Sequence, residues 1–301
     1  MQTAMRCFER VIALDADYAL AYAGISDCAS LCRGYGVFTQ AEALERASAA
    51  VARAIALDAS LAQVNFSQAV FLLIAQGRWA DARPFLDKAI AIDPRMVDAH
   101  GYLGMVAGCE GRADDAQAHA DRAREVDPSS AFSYFLAACA MNITGRFAGA
   151  EDAARRMLEL QPDSLAGLWT RGVALCGLGR NDESVAVLER AVIFSQWPFY
   201  VGLLGMAYGR AGRAADAQRL LDELAARAGR GEYIPPFAPL WIHLGLEDRG
   251  AMRADLDACL ADLAPPITIK LACGVLLDAY RTDPEIDRRC HALFRTAPAA
   301  S

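Results

Sequence analysis

The chain has 301 residues, 54% of them hydrophobic and 22% charged, with a net charge of −7. Enough apolar surface is present to build a substantial core, which excludes a disordered chain. An acidic balance with no basic stripe also excludes a nucleic-acid ligand, because phosphate-backbone binding draws most of its affinity from clustered Lys and Arg.

Residues Met1 to Phe8 carry no basic stretch followed by an apolar segment and a small-residue cleavage site, so a reducing, cytoplasmic setting is expected. The opening residues Ala4 and Phe8 and the string Ile12-Ala-Leu-Asp15 have the spelling of the second helix of a helical hairpin. The chain therefore reads as beginning mid-repeat. Two expectations follow: a fragment of a longer protein, or a homo-oligomer formed through this helix, whose apolar face would otherwise be bare.

Further along, Gly-Arg recurs at Gly77-Arg78, Gly111-Arg112, Gly145-Arg146 and Gly179-Arg180, each interval being 34 residues, and Gly212-Arg213 follows after 33. Pro94, Pro128 and Pro162 keep the same period. Glycine tolerates the left-handed conformation that ends a helix, so each Gly-Arg reads as a hairpin turn. The proline opens the next helix and pushes the residue before it out of helical geometry. Ala82, Ala116, Ala150, Ser184 and Ala217 lie five residues after their glycines, and Leu86, Ala120, Ala154, Leu188 and Leu221 follow four later. Small and apolar positions thus share one face of the second helix. A single hairpin cannot bury that face, so the units must stack. The expected fold class is all-α, an α-α superhelix of about six to seven helical hairpins with a C-terminal helical cap.

Full units are placed at 19–61, 62–96, 97–130, 131–164, 165–197 and 198–231, with extra residues around Arg33 to Ala41 lengthening the first turn. The array is thus assigned to 1–231, a degenerate hairpin to 232–264, and a cap and tail to 265–301. Two uncharged windows, Pro128 to Gly145 and Ala191 to Gly209, have the length of a membrane span but contain three serines and Asn142, or Gln196 and Pro198. They read as helices buried on two sides, with no membrane involved.

No phosphate loop, paired-histidine metal helix or nucleophile motif occurs, so no catalysis, cofactor or metal is expected. Gly177-Leu-Gly179-Arg-Asn-Asp is the hairpin turn and follows no strand. Asp114-Asp115 and Asp182-Glu183 open second helices, where carboxylates favour the helix dipole. The arginine of each Gly-Arg is expected to reach the last carbonyls of the first helix. Nine scattered cysteines, with only Cys28 and Cys32 one helical turn apart, read as small buried apolar residues.

The unit Val97 to Ser130, with His100, Leu103-Gly104, Ala107, Ala116, Ala120 and Pro128, resembles the tetratricopeptide repeat; a later unit keeps Leu204-Gly205, Tyr208, Ala217 and Leu221. Arg171 departs from the pattern at its Leu position, and Ala16 and Ala59 replace the closing proline. The ending Leu277-Asp-Ala-Tyr-Arg-Thr-Asp-Pro284 is similar to tetratricopeptide tails of bacterial signalling proteins such as nucleotide cyclases and winged-helix regulators. That resemblance implies an interaction module, either a regulatory tail or a self-associating scaffold. It also implies that first helices line a concave groove. The positions carried over are Asp98, Met105, Phe132, Phe135, Cys139, Asn142, Trp169, Val173, Cys176, Phe199, Met206 and Arg210. This mostly apolar lining lacks the basic and amide clamp for a terminal carboxylate, so a protein or peptide with an apolar face is the expected guest. The alternative left open is that these aromatics pack between repeats or lie under the segment Ile267 to Phe294.

Overall fold

The computed structural model describes residues 1–294, which form 17 α-helices and one π-helical turn; among the described residues there is no strand. Helix α1 spans Gln2–Leu14, after which six hairpins follow: α2 (Ala19–Gly34) with α3 (Gln40–Asp58), α4 (Ala62–Val70) with α5 (Trp79–Ile92), α6 (Val97–Cys109) with α7 (Ala113–Val126), α8 (Ala131–Ile143) with α9 (Phe147–Leu160), α10 (Leu165–Gly177) with α11 (Asn181–Phe194), and α12 (Pro198–Arg210) with α13 (Ala214–Gly229). A seventh pair, α14 (Phe237–Gly245) and α15 (Arg249–Ala261), precedes α16 (Pro266–Asp278) and α17 (Pro284–Phe294). No helix among the described residues is long and apolar enough to cross a membrane.

Burial separates two layers. In α6, 11 of 13 residues are buried, whereas α7 buries only Ala116, Ala120 and Ala123. First helices thus form an inner layer enclosed on several sides, and second helices an outer layer with one small-residue seam. Each hairpin glycine has positive φ, from 65° at Gly77 to 76° at Gly111. The following arginine's backbone N–H donates to a carbonyl of the first helix's last turn, as in Arg112 to Ala107 O and Arg180 to Leu175 O, both 2.9 Å. That is the six-to-one bond of a Schellman ending. The arginine side chain goes elsewhere, correcting the expectation: Arg78 pairs with Asp81 at 2.7 Å, Arg180 with Glu183 at 2.7 Å and Arg213 with Asp216 at 2.6 Å. The main chain closes the first helix, and in these units the side chain steadies the acidic start of the second, whereas Arg146 pairs with Asp114 of the preceding unit.

Departures from the 34-residue period have local causes. From the start of α4 at Ala62 to its glycine is 15 residues, one more than the 14 from Val97 to Gly111, and that extra residue is accommodated by the π turn Phe71–Ala75. Arg78 N–H accordingly reaches Leu72 O, six residues back rather than five. The 33-residue interval has the opposite origin, a link between α11 and α12 that is one residue shorter than the link between α9 and α10.

The residues around Arg33 to Ala41 extend α2 and α3 to 16 and 19 residues as well as lengthening their connection, Tyr35–Thr39. This insertion closes the superhelix on itself. Arg33, 4% exposed, donates to Ala75 O, Gln40 O and Leu263 O, the first two at 2.6 and 2.8 Å. Burial among carbonyls rather than carboxylates lowers its affinity for the proton, to a pKa of about 10. Tyr35 packs against Phe199 at 4.7 Å between ring centroids, and Gln40 donates to Tyr233 Oη at 3.1 Å. Opposite this closure, the backbones of α12 and α14 touch: a Cβ on Gly209 would stand 2.4 Å from the carbonyl carbon of Gly245.

Helix α17 packs on α15 at the end of the array, but α16 turns inward and lies against α8, α10, α14 and the π turn. Pro266 meets Gly77, Val275 meets Gly145, and Thr268 Oγ1 donates to Gly34 O at 3.0 Å. The hollow is therefore not an open groove, because α16 fills its half nearest the hairpin turns.

Candidate functional site

The inner layer carries a row of aromatic rings. Phe132 and Phe135 have centroids 5.5 Å apart, Phe135 and Trp169 5.9 Å, Trp169 and Phe199 5.5 Å, and Phe199 and Trp241 5.3 Å, the last three contacts edge to face. Phe135, Trp169 and Trp241 are the fifth residue of their first helices, and Phe132 and Phe199 the second, about one turn earlier, so stacking of units brings the rings into a continuous ladder. At its outer end Phe132 is 40% exposed.

Met105, Phe135, Cys139, Trp169 and Phe199 wall an apolar cavity of about 50 Å³ with Leu31, Tyr35, Ile74 and Tyr102, and the opposite wall is Ile267, Thr268 and Leu271 of α16. Asn142 and Val173 lie against α16 itself, and Asn142 Nδ2 donates to Thr170 O at 3.1 Å. Cys176 turns to its own hairpin, with Sγ 3.2 Å from Ser184 Oγ, so it does not face the hollow. Met206 is fully buried where α12 meets Gly245. Arg210 is half-buried, and its shielded Nε has no partner. Asp98, half-buried, and Phe132, exposed, stand at the rim, on the side that α16 leaves uncovered.

The first two units, to which the groove register was not extended, supply further rim residues. Asp27 on α2 accepts from Ser67 Oγ at 2.9 Å and Gln63 Nε2 at 3.2 Å, both on α4, while its Oδ1 is shielded and unpartnered. Burial, and to a smaller extent the neighbouring Asp98, push the Asp27 carboxyl up to about 7; its two hydrogen bonds oppose that shift. Asp98 is raised by burial too. Position nine of the unit starting at Ala19 is Asp27, so the same register carried back to the first hairpin points to it. Tyr35 had no such signal, since it lies in the insertion.

Eight of the nine cysteines are buried and all are free, and burial raises Cys28 and Cys32, the latter to about 11. Thiolate chemistry is thereby disfavoured at neutral pH. Among the described residues no group of three or more His, Cys, Asp and Glu side chains could hold a metal ion.

Paired helices, Schellman turns and a concave aromatic row agree with two family profiles, both described as tetratricopeptide repeat, that match residues 73–139 and 144–200. Residues 73–139 and 144–200 thus match tetratricopeptide repeats. The helical fold itself is shared over most of the chain with a solved structure. The crystal structure of the APC/C hetero-tetramer Cut9-Hcn1 matches with 14% identity and a TM-score of 0.57 over 90% of this chain and 52% of that one, so this chain spans about half its length. TTC0263, a thermophilic TPR protein of Thermus thermophilus, matches with 18% identity over 66% of this chain and 99% of that one, TM-score 0.49. Pseudomonas aeruginosa pilF matches with 16% identity over 74% and 97%, TM-score 0.48. No curated protein sequence matches the chain.

Proposed function

We propose that the tetratricopeptide array is a non-enzymatic interaction module that holds a partner polypeptide along the uncovered half of its concave face. The observation that carries this reading is the aromatic row running from a buried Phe199 to an exposed Phe132, beside a cavity that α16 walls on one side only. Rigid aromatic side chains at the edge of a desolvated pocket are the usual anchors of peptide recognition. Helix α16 supplies an internal precedent, since this face already accepts one apolar helix.

The guest on this reading is a protein segment with an apolar face. The ending Leu277 to Pro284 adds a physiological setting, the regulatory tail of a bacterial cytoplasmic signalling protein, in which the effector belongs to another part of the same assembly. Self-association is the rival arrangement: Leu14 of α1 is 90% exposed, and light scattering that reports a dimer abolished by Leu14→Glu would favour it. The test of the groove itself is affinity for a bound peptide after Phe132→Ala and Phe135→Ala. A loss of about tenfold or more with the fold intact supports it, and unchanged affinity removes it.

A further inference from the structure

Two carboxylates at the rim have no cation. Asp27 and Asp98 each stand one helical turn before a wall residue of the cavity, Asp27 before Leu31 on α2 and Asp98 before Tyr102 on α6. Asp98 adds to the cost of ionising Asp27, and both carboxylates add to that of the Tyr102 hydroxyl, which places all three in one neighbourhood. Neither carboxylate forms an ion pair among the described residues; Asp27 has only the hydroxyl of Ser67 and the amide of Gln63, and its Oδ1 is left without a donor. Across the same cavity, Trp169, 2% exposed, turns its shielded Nε1–H towards the Tyr35 hydroxyl.

Desolvated carboxylates without partners are costly, and proteins elsewhere pair or hydrate them. Two other shielded carboxylates of this chain do meet a cation, Glu110 with Arg83 and Glu151 with Arg171. The bare pair therefore marks where a missing cation belongs. We infer that the guest presents a Lys or Arg side chain to Asp27 and Asp98 while neighbouring apolar side chains cover Phe132 and Phe135. This assignment of a basic, apolar peptide segment rests on the groove reading and names the chemistry it selects. An acidic or uncharged segment is disfavoured, because it would leave both carboxylates desolvated and unpaired. With only about 50 Å³ inside, the cavity admits the tip of one side chain, so the segment lies across the rim rather than within the core.

The test uses a displayed library of random 12-residue peptides panned against the full chain, the best binder then being synthesised with its basic residue as arginine and as uncharged citrulline. Winners are expected to carry Lys or Arg within one helical turn of an aromatic or aliphatic residue. The arginine peptide should bind about tenfold more tightly than the citrulline peptide, and Asp27→Asn or Asp98→Asn should erase that difference. Raising the salt concentration should weaken the arginine peptide alone. Winners lost on Phe132→Ala and Phe135→Ala but indifferent to citrulline and to both Asp→Asn changes would overturn this inference and leave the groove reading standing. Winners indifferent to the two Phe→Ala changes as well, or no enrichment at all, would overturn both. Retention of spermidine by the wild-type chain, lost on Asp27→Asn, with no peptide enrichment would overturn the peptide assignment and give the pair to a free polyamine instead.

Discussion

Asp27 shows how one residue can weaken a fold that it equips. Its carboxyl is held up near 7 by burial, so the folded chain keeps a proton that the unfolded chain gives up near pH 4. Between those values the native state binds more protons than the unfolded state. The stability tied to this group is therefore fully present below pH 4 and is lost as pH rises through 7. Asp27→Asn keeps the neutral form at every pH, so urea unfolding should find the variant more stable than wild type by about 1 to 3 kcal/mol at pH 8 and nearly equal at pH 4. A variant no more stable at pH 8 than at pH 4, relative to wild type, contradicts the burial of an unpaired charge. Greater stability coupled to weaker guest binding is the signature of a residue kept for recognition. Arg33 is the opposite case, since its guanidinium joins three segments through their carbonyls. Arg33→Met leaves those carbonyls without donors and should cost about 2 to 4 kcal/mol in the same assay, while Arg33→Lys restores only part because an ammonium lacks the planar fork.

At the scale of elements, the hairpins were legible because their signals are local. A glycine at positive φ and a small residue five positions later each act within one unit, so spacing alone located the turns; Pro94, Pro128 and Pro162 do not open the next helix as expected but stand two residues past the end of the second, where they stop it. The seam is tight enough to test: a Cβ on Gly104 would stand 3.1 Å from Ala116 O, and Ala116 is fully buried. Ala116→Leu should overpack the α6–α7 hairpin and destabilise it by about 1 to 3 kcal/mol in thermal melts; a silent substitution would put this seam in doubt. The π turn at Phe71–Ala75 was legible only as a unit one residue too long, because sequence gives the length and not the turn of helix that absorbs it. The place of α16 was not legible. Ile267, Ile269, Ala272, Cys273 and Leu277 bury nearly all its girth, so no single apolar stripe says which neighbour it meets. Four of the five hairpin arginine side chains went to carboxylates three residues on, and Arg146, whose second helix has no acidic first turn, went to Asp114 of the preceding unit; local charge pairing favours this over carbonyls already satisfied by the main chain.

On the scale of the whole molecule, the insertion after α2 changes what the repeats build. Arg33, Tyr35 and Gln40 bring the first hairpin against residues of α12 and the α13–α14 and α15–α16 links, so the array is tied end to end instead of extending freely. Small-angle scattering should then give a radius of gyration near the roughly 19 Å of a compact chain of this length, and Arg33→Met should enlarge it. Closure also explains why the carried-over groove positions divided. Most of those deep in the hollow met α16, Met206 met Gly245 of α14, Cys176 turned to its own hairpin, and Asp98 and Phe132 with their neighbours stayed at an open rim. Hydrogen exchange of the full chain with and without a saturating library-selected peptide tests the account most directly. New protection confined to the rim segments of α2, α4, α6 and α8 that carry Asp27, Ser67, Asp98 and Phe132 is the predicted result; protection on the outer helices α5, α7 and α9, with none at the rim, would contradict it.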